Sequence, residues 1–248
     1  MNFTLRIPLA LLLLGTVSCG GPEAETQESY YEDVKASMEV DAATVDYTLA
    51  LPQSYAEDVP APLVLALHFG GRPSRDYGGR FMNLLVKPAL GELEALILAP
   101  TVPDETSWTS SISESTVMGL LDEIRRQYNV DPGRILVTGF SLGAIGTWEY
   151  ASKYPDVFSA AIPISGLPPA EAADALSSVP LYVIHSNADR VFDWRAVDEA
   201  VQRIRSRGAD VEFHLVDGAG HFETRRFVGP LREAVPWIEE RWESAMAR

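Results

Sequence analysis

The chain has 248 residues, with 35 acidic against 20 basic side chains, a formal charge of −15 and 46% hydrophobic residues. So large an acidic excess repels nucleic acid and anionic lipid head groups, and no nucleic-acid partner is expected. A single cysteine excludes an intrachain disulfide framework and any cysteine-rich metal site.

The amino terminus carries Arg6, an apolar run from Ile7 to Leu14, the small residues Gly15-Thr16-Val17-Ser18, and then Cys19. Residues 1–18 have the form of a secretory signal, too short for an ordinary transmembrane helix. The small residues before Cys19 resemble a bacterial lipobox, although Thr16 stands where leucine is common. Cys19 is therefore the expected lipidation site, with a plain secretory signal and a periplasmic or secreted protein as the alternative. Gly20 rather than aspartate after the cysteine implies, by resemblance to Gram-negative lipoproteins, the outer membrane. Residues 19–36 are polar and acidic without hydrophobic periodicity, and read as an anchor and flexible tether. Residues 37–248 are enough for one well-buried domain.

Along that domain, short apolar runs alternate with helical patterns. Val45–Leu51 reads as an outer strand, and Leu63–Leu67 as a parallel strand covered on both faces. Ala95–Ala99 is another strand, stopped by Pro100. Ser115–Tyr128 sets Val117, Leu120, Leu121 and Ile124 at helical spacing. Asp131-Pro132-Gly133 predicts a turn into strand Ile135–Val137, with helix Leu142–Tyr154 beyond it. Strands Ala160–Ile164, Leu181–Ile184 and Val211–Val216 follow, with helices Trp194–Arg207 and Leu231–Trp242. This alternation predicts a doubly wound, mostly parallel α/β sheet, whose functional groups gather at the carboxyl ends of the strands.

The chemistry centres on Gly139-Phe140-Ser141-Leu142-Gly143, between an aliphatic strand and a helix. A serine hydroxyl becomes nucleophilic when a sharp turn exposes it and a base takes its proton, and flanking glycines leave room for that turn. Of the four histidines, His221 lies in the glycine-rich Gly218-Ala219-Gly220-His221-Phe222, directly after the last strand. It is the expected base. His185 and His214 belong to strands, where packing accounts for them. Asp189, after strand Leu181–Ile184, is the expected acid. Asp193 is its rival, but adjoins Trp194 and suits a helix N-cap. An oxyanion needs two backbone N–H donors: Leu142 at the helix start, and one from His68-Phe69-Gly70-Gly71. His68 itself reads as a brace of that loop. No histidine or carboxylate cluster has metal-ligand spacing.

These segments resemble the α/β-hydrolase superfamily, particularly small bacterial esterases related to polyhydroxybutyrate depolymerases, feruloyl esterases and predicted peptidases. The resemblance runs from about Val45 to Trp242. Its most specific stretch holds G-F-S-L-G-A, Gly146-Thr147-Trp148, Tyr154-Pro155 and Ile164-Ser165-Gly166. It implies the α/β-hydrolase fold, a Ser141–Asp189–His221 triad, and neither metal nor cofactor. Relatives usually carry glycine where Phe69 stands, so the second oxyanion donor is Phe69 or, with a shift, Gly70. The sixteen residues between Ile164 and Leu181 leave no room for a large cap. An open site accepting bulky or polymeric esters follows. Trp108, Phe192 and Phe222 are candidate pocket walls, and Arg72 and Arg75 are candidate grips for an anionic substrate or plain surface charges. The function expected is a carboxylic ester hydrolase acting through an acyl-enzyme. A serine peptidase and a non-catalytic lipoprotein binding module are the alternatives.

Overall fold

The computed structural model describes residues 31–40, 43–103, 107–170, 172, 176 and 178–246. The expected leader 1–18, the lipidation site Cys19 and the tether as far as residue 30 lie outside the described residues.

Eight strands form one sheet in the order β1-β2-β4-β3-β5-β6-β7-β8. They are β1 Tyr31–Val40, β2 Ala43–Pro52, β3 Ala61–Leu67, β4 Leu96–Pro100, β5 Val130–Phe140, β6 Ala160–Ile164, β7 Leu181–Ser186 and β8 Val211–Val216. The β1/β2 and β2/β4 pairs are antiparallel and the remaining pairs parallel. Helices cover both faces, which is why the central strands are aliphatic at successive positions. Leu63, Leu65 and Leu67 of β3 face one apolar cluster, built on α3 (Ser111–Gln127), α4 (Leu142–Lys153) and α5 (Trp194–Ser206). Val64 and Ala66 face the other. That second cluster rests on α1 (Tyr77–Phe81), α2 (Lys87–Leu90), α6 (Val228–Arg232) and α7 (Val235–Met246). The architecture is the α/β-hydrolase fold.

Several elements depart from expectation for identifiable reasons. Residues 31–36, expected in the tether, form the first half of β1, which pairs along its whole length with β2. β1 is an edge strand with exposed and half-buried positions alternating, so its polar sequence needs no core. Asp131-Pro132-Gly133 does not precede a strand but bulges within β5, where the register against β3 shifts between Ala61 and Leu63. Asp131 Oδ1 accepts Gly133 N–H there at 2.9 Å. The last helix is two helices. Pro236 lacks the N–H that would join α7 to the turn before it. Helical turns between residues 77 and 93 were not expected. They include a widened π turn, Met82–Val86, immediately before Lys87-Pro88, where the proline cannot donate back into the helix.

Within the interval 165–180, Ala172, Leu176 and Val179 are buried against the body. The loops that follow β3, β5, β7 and β8 meet at the carboxyl ends of these strands. A groove of about 810 Å³ lined by Tyr31, Asn83, Lys87 and Arg232 lies at the opposite end of the sheet.

At the junction of β5 and α4, a Cβ on Gly143 would overlap the Leu67 carbonyl oxygen, and one on Gly139 would overlap the Gly143 carbonyl oxygen. Both obstacles are backbone and cannot swing aside. Gly143→Ala should cost about 3 kcal/mol or more. Gly229→Ala, inside α6 with open space at the same atom, should change stability by less than ~1 kcal/mol. Denaturation midpoints of the two variants check this, and equal midpoints would contradict the close approach.

Candidate active site

Ser141 ends β5 and opens α4 with φ 56° and ψ −113°, a left-handed conformation that a β-substituted residue adopts only under strain. Its N–H donates to Ile164 O of β6 at 2.9 Å, and its carbonyl accepts from Ala144 and Ile145. The turn is thus tied on both sides, and the side chain stands up from the carboxyl end of the sheet, half-buried.

Ser141 Oγ lies 2.8 Å from His221 Nε2, and His221 Nδ1 lies 2.7 Å from Asp189 Oδ2. The partners fix the tautomer: Nδ1–H donates to the carboxylate, leaving Nε2 to accept from the serine hydroxyl. Asp189 Oδ1 accepts N–H from Val191 at 2.8 Å and from Phe192 at 3.0 Å. Burial alone would raise the Asp189 pKa. The His221 bond and the two N–H donors outweigh it, and the carboxyl lies below its ordinary value. The side chain is fully buried yet stays ionised. Asp193 is not part of this chain; its Oδ1 caps α5 by accepting Arg195 N–H.

The loop carrying His221 is braced from outside. Gly218, at φ 67°, makes the turn, Gly220 N–H donates to Glu223 Oε2 at 2.7 Å, and Arg226 donates to Gly218 O at 2.7 Å. Asn187 then joins the acid loop to the base loop. Its amide donates to Asp217 Oδ1 at 2.7 Å and accepts Gly218 N–H at 2.9 Å. Sequence reasoning missed Asn187. Its only sequence signal is a side-chain amide two residues before the acid, just past the end of a strand.

On the other side of Ser141, Leu142 N–H opens α4, where no intrahelical acceptor exists. Among the described residues, Phe69 and Gly70 N–H also have no acceptor. Gly70 lies against Leu142, an ideal Cβ on it being 3.8 Å from Leu142 Cβ. Phe69 is absent from the positive-φ residues, so the phenylalanine is unstrained at the position where glycine was expected. Its ring packs edge-on against Tyr77, Phe81 and Phe140.

His68 braces this loop. Its Nδ1–H donates to Phe69 O at 2.7 Å, and Nε2 accepts Val102 N–H at 3.1 Å. Trp108, expected as a pocket wall, is fully buried and serves the same loop from beneath: its indole N–H donates to His68 O at 2.9 Å. A large ring with one donor fits a core position where a carbonyl awaits it. Phe192 and Phe222 do flank the site, with ring centres 5.6 and 5.2 Å from that of His221, and Phe222 is 89% exposed. Arg72 and Arg75 are exposed, and Arg75 lies 3.9 Å from Asp46. His214 sits at the sheet edge beside Tyr182 and Glu233. Among the described residues no group of histidines and carboxylates is arranged to hold a metal.

Residues 105–235, more than half of the chain, match the dienelactone hydrolase family. The chain belongs to that family. Feruloyl esterase B of Talaromyces stipitatus is 28% identical over 173 residues, covering 66% of this chain and 46% of that protein. Poly(3-hydroxyalkanoate) depolymerase C of Paucimonas lemoignei is 42% identical over 53 residues, covering 21% of this chain and 13% of that protein. A solved ferulic acid esterase superposes with a TM-score of 0.69 at 17% identity, covering 85% of this chain and 98% of that one; at that identity the likeness is one of fold. The chain spans less than half the length of the first curated relatives it matches.

Burial pushes the His68 pKa down from 6.5 to about 4. As pH falls past about 6.5 the unfolded chain takes up a proton that the folded chain refuses until about 4. The stability His68 permits is therefore complete above that window and lost through it, by at most ~3 kcal/mol. Denaturation of wild type and His68→Gln between pH 7 and 4 should show a shallower decline in the variant. Parallel curves would mean that His68 is not buried neutral.

Proposed function

We propose that the protein is a serine esterase acting on carboxylic esters. The observation that carries this reading is the continuous hydrogen-bonded chain from Ser141 Oγ through His221 to Asp189, rising from a strained strand-to-helix turn.

In this reading Ser141 Oγ attacks the ester carbonyl while its proton passes to His221 Nε2. The imidazolium that forms is stabilised by Asp189, already ionised and held by two backbone N–H groups. The tetrahedral oxyanion receives Leu142 N–H, at the positive end of α4, and an N–H from Phe69 or Gly70. Its collapse expels the alcohol, which takes the proton from His221, and leaves an acyl-Ser141. Water then enters, gives a proton to His221 and releases the acid. Neither a metal nor an organic cofactor takes part in these steps. An ester is favoured over an amide because an alkoxide leaves without obligatory protonation. A bulky or polymeric ester is favoured by the shortness of the interval 165–180 and the exposed ring of Phe222, and relatives named as feruloyl esterase and poly(3-hydroxyalkanoate) depolymerase support the same class. A peptidase of the same fold is the second reading within hydrolases. Turnover of p-nitrophenyl acetate against an aminoacyl amide separates the two.

Ser141→Ala should lower kcat by ~10⁴ or more and abolish labelling by a fluorophosphonate, with the fold retained. Asp189→Asn should fall almost as far. Asp193→Ala should keep near-normal kcat and lose about 1 kcal/mol of stability through the cap. A tenth of wild-type turnover in Ser141→Ala, or no adduct on folded wild type, would leave a binding module as the better reading.

We propose further that Cys19 carries acyl chains and anchors an exported protein to a membrane, since a charge of −15 gives no electrostatic attraction to one. Tyr31 begins β1 opposite Pro52, at the end of the sheet away from Ser141. Such an anchor would therefore present the site outward. Cells fed labelled palmitate should yield labelled, membrane-bound wild type and unlabelled Cys19→Ser with unchanged intrinsic turnover; soluble, unlabelled wild type would reduce the leader to a plain secretory signal.

A further inference from the structure

His185, the penultimate residue of β7, is fully buried, and it is the one histidine near Asp189 that the proposed mechanism leaves unused. Its Nε2 lies 3.1 Å from Phe192 O and 3.8 Å from Asp189 Oδ2. Both neighbours are acceptors, so Nε2 carries the proton and donates to Phe192 O. Nδ1 then holds a lone pair, and it is buried without a hydrogen-bond partner. For stability alone this is a poor residue, because an unpaired buried nitrogen costs free energy that a leucine of similar volume would not.

The imidazole supplies one contact that leucine cannot. Phe192 is the residue whose N–H, with that of Val191, holds Asp189 Oδ1. Pinning the Phe192 carbonyl restrains the seven-residue loop 187–193, and through it the carboxylate that orients His221. The same bond sets the Phe192 ring against the His221 ring.

We propose that His185 is a positioning residue for the acid of the triad, maintained for loop geometry at the expense of core stability. The inference rests on the esterase reading. A displaced carboxylate leaves substrate binding untouched but lets the imidazole wander from Ser141, and errors on the order of 1 Å cost up to ~10²-fold in rate.

The test compares wild type with His185→Leu, His185→Gln and His185→Asn on p-nitrophenyl acetate, alongside thermal melts. His185→Leu should melt no more than a few degrees from wild type, lose ~10–100-fold in kcat, and keep KM within about threefold. His185→Gln, whose amide N–H reaches the Nε2 position, should recover most of kcat. His185→Asn, which places its amide at the Nδ1 position, should not. A folded His185→Leu with wild-type kcat overturns the proposal, as does a His185→Gln no better than His185→Leu. If His185→Leu does not fold, the Gln and Asn variants decide, and equal kcat in those two overturns it. A wild type that neither hydrolyses the ester nor takes a fluorophosphonate overturns the esterase reading and this inference together. An active wild type with indifferent variants overturns the inference alone.

Discussion

The backbone of α4 passes directly beneath the ends of β3 and β5, with no room for a side chain at Gly139 or Gly143. Everything at the site follows from that approach. It bends the chain sharply enough to leave Ser141 at positive φ, and it sets the first N–H of α4 beside the loop that follows β3. Gly166 repeats the theme across β6, where a Cβ would come within 2.6 Å of Ala144 Cβ and 2.9 Å of Ser141 O. Strain at one residue persists because the surroundings over-determine it: Ser141 N–H is held by Ile164 O, and α4 is buried along one face from Gly143 to Ala151.

Around this rigid turn the remaining groups sit on loops, and loops need bracing to hold a geometry set by hydrogen bonds of 2.7–2.8 Å. The structure uses different chemistry for each. The loop after β3 is held by a neutral imidazole and an indole from within the core. The base loop is held by surface charge, Glu223 and Arg226, where water makes ion pairs inexpensive and weak. The acid loop is held by the carboxylate's own acceptance of backbone N–H groups, and is joined to the base loop by Asn187. Buried positions thus carry neutral donors and acceptors, and Asp189, the one acidic or basic side chain buried among the described residues besides the histidines, accepts from three donors.

Legibility of these parts in the sequence follows the kind of signal each produces. The meeting of Ser141, Asp189 and His221 was readable because a sharp strand-to-helix turn demands glycines beside it, and because the aspartate and histidine follow later strands. Core strands were readable because burial on both faces demands unbroken aliphatic runs. β1 was not, since an edge strand half open to water keeps polar residues and resembles a tether. The helical turns at 77–93 were missed because Gly78, Gly79 and Pro88 interrupt the helical signal, although Phe81, Met82, Leu85 and Leu90 are all buried on one side of the sheet. Trp108 was misread as a pocket wall, since nothing in sequence separates a loop aromatic facing solvent from one folded under. Phe69 breaks the expected glycine pattern without strain because its φ lies in the ordinary region and aromatic neighbours receive its ring.

The position of β8 at the sheet's edge has a temporal consequence. His221 lies eighty residues beyond Ser141, on the loop that follows β8, which pairs with β7. A chain emerging amino end first presents its serine long before its imidazole. In the esterase reading proposed above, Ser141 is an ordinary alcohol until that last strand docks. In that reading reactivity is gated by completion of the fold: a nascent, truncated or partly unfolded chain would carry the serine without its base, and the first turnover would report that the edge strand β8 has arrived.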